Sequence, residues 1–179
     1  LFIFWKVNTM STLKVGTIQD HANSITAMTI DSSGRVLTPA RPTLFADCNN
    51  GSSAAYDTIG NFSAVPYRRV VSGSGISLNT STYVFTIPIT GFYQINATIL
   101  NNNVENLEIA LTVGGSLNEH VVQRSYANSD NRSCYLHHAM ELQANDECRI
   151  VNSSGGNRGF HRNTDATDRY TSLSVYLIG

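Results

Sequence analysis

The residue types that most often carry catalysis or bind metal ions are present in this chain, but their spacing fits no catalytic motif. His137 and His138 are adjacent in a strand-like segment, so their side chains point to opposite faces and cannot share one metal ion. Glu119-His120 lacks a second histidine at zinc-protease spacing, and residues 72–75 (SGSG) lack the residue order of a nucleophile elbow. We therefore expect that the protein is not an enzyme.

Two sets of charged residues in the second half of the chain are candidates for binding. Asp130, Asp165 and Asp168 are candidate calcium ligands, although one or two carboxylates per loop are more typical of solvated loop tips. We expect no other cofactor or metal. Arginines suit anionic glycans because a guanidinium group forms paired hydrogen bonds, although ordinary surface or subunit-interface positions are more common. The arginines concerned are Arg124, Arg132, Arg158, Arg162 and Arg169.

Two segments rich in Asn, Ser, Gly, Asp and Arg, 126–132 and 152–168, are predicted to be loops that are free to contact a ligand. The second segment contains our candidate receptor-contact residues, Arg158, Phe160 and Arg162. Phe160 would stack on a sugar ring while the two guanidinium groups bind the substituents of that ring. The alternative is that the Phe160 ring only pins the loop to the rest of the domain.

The three cysteines, Cys48, Cys134 and Cys148, are widely separated and contain no C-x-x-C pair. This spacing predicts neither a zinc site nor a disulfide framework. We therefore expect free thiols that pack as small apolar side chains.

Composition and charge exclude several classes of protein. The chain of 179 residues has 12 Lys and Arg against 13 Asp and Glu, and this balance offers no positive stripe for nucleic acid. With 41% hydrophobic residues it can form one core. No apolar run approaches the roughly 18 residues that span a bilayer, so no membrane insertion is expected. Leu1–Trp5 is too short for a signal-peptide core, and Met10 is the expected natural start.

Period-two alternation of apolar and polar residues is the dominant pattern after residue 42. It is clearest in residues 83–89, 93–99 and 107–113, and it returns around residues 140–150 and 173–177. No window of eleven or more residues has a helical face. We therefore expect an all-β domain in which about eight to ten short strands form a sandwich or jelly roll.

Residues 1–39 are expected to form a separate leader, with the head domain in residues 40–179. Strand-like runs at 13–19, 25–30 and 35–37, with a turn at 31–34 (DSSG), predict a β-hairpin in the leader. It has too few large apolar residues to bury a core alone, so other chains or the head should stabilise it. The prolines at positions 39 and 42 mark the boundary.

Residues 85–97 (FTIPITGFYQINA) resemble the F-x-x-P-x-x-G-x-Y-x-F motif of the complement globular-head and tumour-necrosis-factor superfamily. Residues 140–150 are similar to its L-x-L-x-x-G-D-x-V-x-L segment, and residues 172–179 to its final strand. The resemblance covers residues 39–179 and implies a ten-stranded jelly roll assembled as a compact homotrimer, with Tyr93 and Tyr176 as candidates for the core or the subunit interface. The departures are Asn145, Cys148 and Val175, where the family usually has Gly, Val and Gly.

A second resemblance concerns the leader, because residues 11–20 and 27–36 are similar to N-terminal pieces of structural and fibre proteins of tailed bacteriophages, particularly marine ones. It implies a virion protein made in the host cytoplasm: a trimeric fibre or tail-associated appendage whose leader binds other virion proteins. Its head would then contact the host surface, with a glycan as candidate ligand. The alternatives are a capsid decoration or adaptor with a purely structural role, and a secreted complement-like lectin or cytokine-like ligand.

Overall fold

The computed structural model describes residues 16–19, 22, 26–38, 41–49, 56–102, 106–114, 132–162 and 170–179, together with the backbone of residues 121–127. The chain divides into two compact units, Leu1–Ala40 and Arg41–Gly179. We call these the leader and the head. Among the described residues there is no helix that is long and apolar enough to cross a membrane.

The described part of the leader is a three-stranded antiparallel sheet of β1 (Thr17–Gln19), β2 (Thr26–Ile30) and β3 (Val36–Leu37), in the order β1-β2-β3. The predicted hairpin is β2-β3. Its turn forms because Asp31 Oδ1 accepts hydrogen bonds from the Ser33 and Arg35 N–H groups at 2.9 and 3.0 Å. Gly34 adopts a φ of 77°, which glycine tolerates at low cost.

One face of the leader sheet carries a cluster of four apolar side chains. The strand register pairs Ile18 with Met28 and Ile30 with Val36, which places these four side chains on the same side. Ile18, Ile30 and Val36 are 50%, 46% and 57% exposed. The described residues of the leader thus present an uncovered apolar surface, as expected for a sheet too small to bury its own core.

The head is all-β, as predicted, and its described residues form two five-stranded antiparallel sheets and a two-stranded ribbon. The strands are β4 (Thr43–Asp47), β5 (Tyr56–Ile59), β6 (Arg69–Ser74), β7 (Ser77–Asn79), β8 (Val84–Thr86), β9 (Gly91–Leu100), β10 (Leu107–Val113), β11 (Val121–Ala127), β12 (Ser133–Leu142), β13 (Glu147–Asn152), β14 (Arg158–His161) and β15 (Thr171–Leu177). The front sheet has the order β12-β9-β15-β4-β6, the back sheet has the order β11-β10-β13-β8-β7, and the ribbon pairs β14 with β5.

The core lies between the two sheets and follows the period-two pattern of the sequence. The inward side chains of β8, β9, β10, β13 and β15 are buried, except for Val113 and Leu177 at the ends of β10 and β15, which are partly buried. The sheets thus bury their apolar sides against each other in one continuous cluster. That cluster includes Tyr93, Ile95, Ala97, Ile99, Leu173 and Val175 from the front sheet and Phe85, Leu107, Ile109, Leu111, Cys148 and Ile150 from the back sheet.

Three local features explain or correct the expectations from the sequence. The predicted strand 83–89 is shorter in the structure, because Tyr83 has a φ of 60° and β8 ends at Thr86. Gly91 makes room for the C-terminus at the start of β9, since a Cβ there would lie 2.5 Å from Leu177 Cδ1 and 3.0 Å from Gly179 O, and Leu177 would have to shift. Asn145 replaces the usual glycine of the turn before β13 and adopts a φ of 73°, which asparagine tolerates better than most residues.

Candidate interaction surface

The outward side chains of β12, β9 and β15 form three cross-strand rows, which we call the front face. The strand register defines the rows, since directly paired residues of antiparallel strands lie on the same side. Their neighbours along each strand point into the core. The rows are Tyr135-Thr98-Ser172, His137-Asn96-Ser174 and Ala139-Gln94-Tyr176.

The front face is uncharged and carries exposed aromatic rings. None of the nine residues is Asp, Glu, Lys or Arg. Tyr135 and Tyr176 are 54% and 38% exposed. The next row pairs Phe92, which is 45% exposed, with the exposed Glu141, so the uncharged area ends at the row of Ala139, Gln94 and Tyr176. Depletion of charge together with exposed aromatic residues is the composition that distinguishes the centre of a protein interface from ordinary surface.

A hydrogen-bonded polar ridge runs across the middle of the front face. Asn96 Nδ2 donates to Ser174 Oγ at 3.2 Å, and Gln94 Nε2 donates to Asn96 Oδ1 at 2.9 Å. His137 Nδ1 lies 3.0 Å from the same oxygen, and because that oxygen only accepts, this contact places a proton on Nδ1. The His137 ring stacks nearly parallel to that of Tyr135. These contacts hold the polar side chains in one arrangement before any partner binds.

Of the two alternatives for Phe160, the structure supports packing against the rest of the domain and not contact with a receptor. Phe160 lies in β14 with 0% exposure, and it belongs to the core because β14 pairs with β5 and turns this side chain inward. The segment 152–161 is consequently not a free loop, since it contains the end of β13 and the whole of β14. Residues 128–131 and 163–169 of the two predicted loops lie outside the described residues.

The two arginines that flank Phe160 also have structural contacts. The Arg158 guanidinium donates from Nε to Asn106 O at 2.6 Å and from Nη1 to Asn157 O at 2.8 Å. Arg162 is only 5% exposed, which is too little for direct contact with a large ligand. Of the other three candidate arginines, Arg132 is exposed. The Arg124 side chain and Arg169 lie outside the described part of the chain.

Arg162 belongs to a half-buried charge cluster that no local sequence pattern reveals. Asp57 Oδ2 lies 2.7 Å from Arg68 Nη1 and 3.7 Å from Arg162 Nη1. Burial raises the pKa of Asp57, but the hydrogen bonds from Arg68 and from the Thr58 N–H, with the charges of both arginines, hold this pKa below its usual value. Asp57 is therefore the anion that these two guanidinium groups face.

Tyr93 and Tyr176 have different environments. Tyr93 lies in the core at 0% exposure, and its hydroxyl donates to Ile89 O at 2.8 Å. Tyr176 points outward on the front face. The sequence left core and interface as alternatives for both residues. The structure places Tyr93 in the core and Tyr176 on the surface.

The cysteines are free and buried, as the sequence predicts. Burial raises the pKa of Cys48 well above its usual range and that of Cys148 to about 12. The calcium candidates Asp130, Asp165 and Asp168 lie outside the described residues. Within the described ranges, no three His, Cys, Asp or Glu side chains are grouped so that they would hold a metal ion.

Comparison with known proteins identifies the fold of the head through solved structures alone. No protein-family model matches the chain, and no curated protein matches it. Eiger TNF from S. frugiperda aligns with a TM-score of 0.64 at 12% identity, over 78% of this chain and 94% of that one. Murine APRIL aligns with a TM-score of 0.58 at 16% identity, over 77% and 99% of the two chains. The globular domain of zebrafish complement 1qA protein aligns with a TM-score of 0.54 at 16% identity, over 78% and 98%. The chain therefore contains a jelly roll of the tumour-necrosis-factor and complement globular-head type.

Proposed function

We propose that this protein is a homotrimeric virion appendage of a tailed phage, in which three heads associate through their front faces and the leaders attach the trimer to other virion proteins. In this proposal the head is the part that is displayed toward the host surface. The front face is the single observation that supports this assembly, because its two exposed tyrosine rings flank an uncharged, hydrogen-bonded ridge.

The chemistry of the front face supports association with other copies of this chain. Burial of the exposed Tyr135 and Tyr176 rings is favourable, and the absence of charged groups in the three rows removes the main cost of burying them. A face that packs against a different surface of the next copy forms a closed ring when the rotation is 120°. The resemblance of residues 85–97 to the complement globular-head motif implies the same threefold assembly.

Truncation of Tyr135 or Tyr176 is the test of this assembly. We expect Tyr135→Ala and Tyr176→Ala each to weaken trimer formation by about 2 kcal/mol, or about thirtyfold, because each removes a central aromatic contact. Sedimentation velocity and light scattering over a micromolar concentration series measure the trimer fraction. Tyr56→Ala is the matched control, because Tyr56 is also 54% exposed but lies in β5, outside the front face. A well-folded wild-type monomer at these concentrations would contradict the assembly.

The apolar face of the leader sheet supports the attachment role. Ile18, Ile30 and Val36 expose apolar surface that needs a partner, and residues 11–20 and 27–36 resemble N-terminal pieces of tailed-phage structural proteins. Attachment through a small sheet with open edges and an apolar face would use both strand pairing and hydrophobic contact.

Deletion of residues 1–39 is the test of attachment. We expect the shortened chain to remain trimeric and to be lost from particles, because the heads retain the front face while the apolar leader surface is gone. Quantitative immunoblotting of purified particles measures the incorporation. Normal incorporation of the deletion variant would rule out the attachment role. Electron microscopy of labelled particles separates a distal tail position from the capsid lattice, and the latter position would favour a structural decoration.

A further inference from the structure

An open cleft of about 510 Å³ lies beside the β5-β14 ribbon, and its described lining contains none of the nine residues of the front face. Its described lining comes from three segments that are distant in sequence: the ribbon itself, the end of β9, and the turn before β14. The lining residues are Tyr56, Asp57, Thr58, Asn102, Asn157 and Gly159.

The register of the ribbon explains how this cleft is built. Tyr56 pairs with His161 and Thr58 pairs with Gly159, so these four residues lie on one side of the ribbon, and both Tyr56 and Thr58 are exposed. Gly159 leaves the middle of that side without a side chain. A Cβ at this position would lie 2.7 Å from Asn102 O, so the close approach of the two backbone segments requires glycine.

Tyr56 supplies an aromatic surface whose orientation is fixed. Its ring packs edge-to-face on His161 with a centroid distance of 4.7 Å, and the His161 ring in turn lies 6.0 Å from that of Tyr170. More than half of the Tyr56 side chain remains exposed, at 54%. A fixed and exposed ring loses little conformational freedom when a flat apolar ligand surface packs on it.

The polar groups of the lining retain hydrogen-bonding capacity. In the part of the chain that the structure describes, no hydrogen bond engages the hydroxyls of Tyr56 and Thr58 or the side-chain amide of Asn102. Asn157 accepts one bond from the Asn61 N–H at 3.3 Å through Oδ1, and its two N–H donors remain available. The cleft thus offers both donors and acceptors around one aromatic ring.

The charge of the lining selects against anionic ligands. Asp57 is the one charged residue among the described lining residues, and Arg68 and Arg162 face its carboxylate. No lysine or arginine belongs to the described lining, so a phosphate, sulfate or carboxylate group would find no cation there.

We propose that this cleft binds a neutral saccharide. The apolar C–H face of a hexose ring packs on Tyr56, and its hydroxyl groups bond with Thr58, Asn102 and Asn157, because a sugar presents one apolar face and a ring of donors and acceptors. The inference names the ligand class of the displayed head and rests on the proposed function for its biological role. The cleft is thus our candidate site in place of Arg158, Phe160 and Arg162. The ligand expected from the sequence was an anionic glycan, and the ligand proposed for the cleft is a neutral one.

The test is a titration of the full-length protein with neutral and acidic trisaccharides, followed by saturation-transfer NMR. We expect saturable binding of chitotriose or maltotriose, with magnetisation transfer from an aromatic ring, and no binding of 3′-sialyllactose. Tyr56→Ala should weaken the binding about tenfold or more, since it removes the stacking surface. Thr58→Val should weaken it about threefold to fivefold, since it removes one hydroxyl and keeps a β-branched shape suited to the strand.

The controls separate this inference from the proposed assembly. Thr82→Val changes an exposed threonine of the β7-β8 turn in the same way and should leave binding unchanged. Light scattering on every variant measures trimer formation independently. A protein that forms trimers but binds no sugar would therefore contradict saccharide binding by the cleft and leave the proposed assembly intact. Absence of binding by both neutral sugars, preferential binding of 3′-sialyllactose, or full binding by Tyr56→Ala and Thr58→Val would each overturn the proposal.

Discussion

Replacing Phe160 with alanine is expected to lower the free energy of unfolding of the protein by about 3–5 kcal/mol. Phe160 is 0% exposed and lies in the core cluster, so the substitution removes a buried ring and leaves a cavity between the ribbon and the sheets. Isothermal denaturation in guanidinium chloride, monitored by tyrosine fluorescence and circular dichroism, measures the change. We thus expect Phe160→Ala to change the stability of the fold, as the packing alternative from the sequence implies, and not the contact with a ligand.

Tyr56→Ala is the matched control for this experiment, because Tyr56 lies on the opposite side of the same ribbon and is 54% exposed. Tyr56→Ala removes a half-exposed ring and its edge-to-face contact with His161, so it is expected to lower the free energy of unfolding by about 1 kcal/mol or less. A loss below about 1 kcal/mol for Phe160→Ala would contradict the packing described for β14.

The pair formed by Asp47 and Arg69 predicts a second large effect. The Asp47 side chain is completely buried, and Arg69 binds both of its carboxylate oxygens, with Nε at 2.9 Å from Oδ1 and Nη2 in close contact with Oδ2. We expect Arg69→Ala to lower the free energy of unfolding by about 3–5 kcal/mol, because it removes the guanidinium group that binds both oxygens of a buried carboxylate.

A double-mutant cycle distinguishes this electrostatic cost from a loss of side-chain packing. In an Asp47→Asn background the charge is absent, so the additional cost of Arg69→Ala should fall to about 1 kcal/mol, which is the scale of one neutral hydrogen bond. Thermal and denaturant unfolding of the four proteins measure the coupling. Equal costs of Arg69→Ala in the two backgrounds would show that the charge of Asp47 is not the cause.

The jelly roll was predictable because its central strands are regular and long enough for alternation to be visible. Residues 93–99 alternate without interruption, and residues 107–113 alternate except at Ala110. The large apolar members of both runs are buried in β9 and β10, apart from Val113 at the end of β10, which is partly buried. Alternation also places Tyr176 on the outer side of β15, because Leu173 and Val175, which have the opposite orientation, are buried in the core. Alternation within one strand is a local property, and the sequence displays it directly.

The strand β14 was not predictable by the same reasoning. Residues 158–161 (RGFH) contain one large apolar residue and a glycine, which is too little for any periodicity. They become a strand because they pair with β5, about a hundred positions earlier in the chain. The Asp57, Arg68 and Arg162 cluster has the same origin, since tertiary structure alone brings its three members together. Non-local pairing therefore explains why the sequence suggested Arg158 and Arg162 as binding residues, whereas the structure favours the cleft beside the ribbon.

The reactivity of the buried cysteines can be used to measure how often the structure around them opens. With a pKa of about 12, Cys148 is a thiolate in only about one molecule in ten thousand at pH 8, and the thiol is enclosed as well. A thiol reagent can modify it only when the structure around β13 opens, so the labelling rate under native conditions measures the population of that open state. Cys134 in β12 belongs to the front sheet and Cys148 in β13 to the back sheet. Mass spectrometry of the two sites would thus compare how often each sheet opens in the natural sequence, without an added probe.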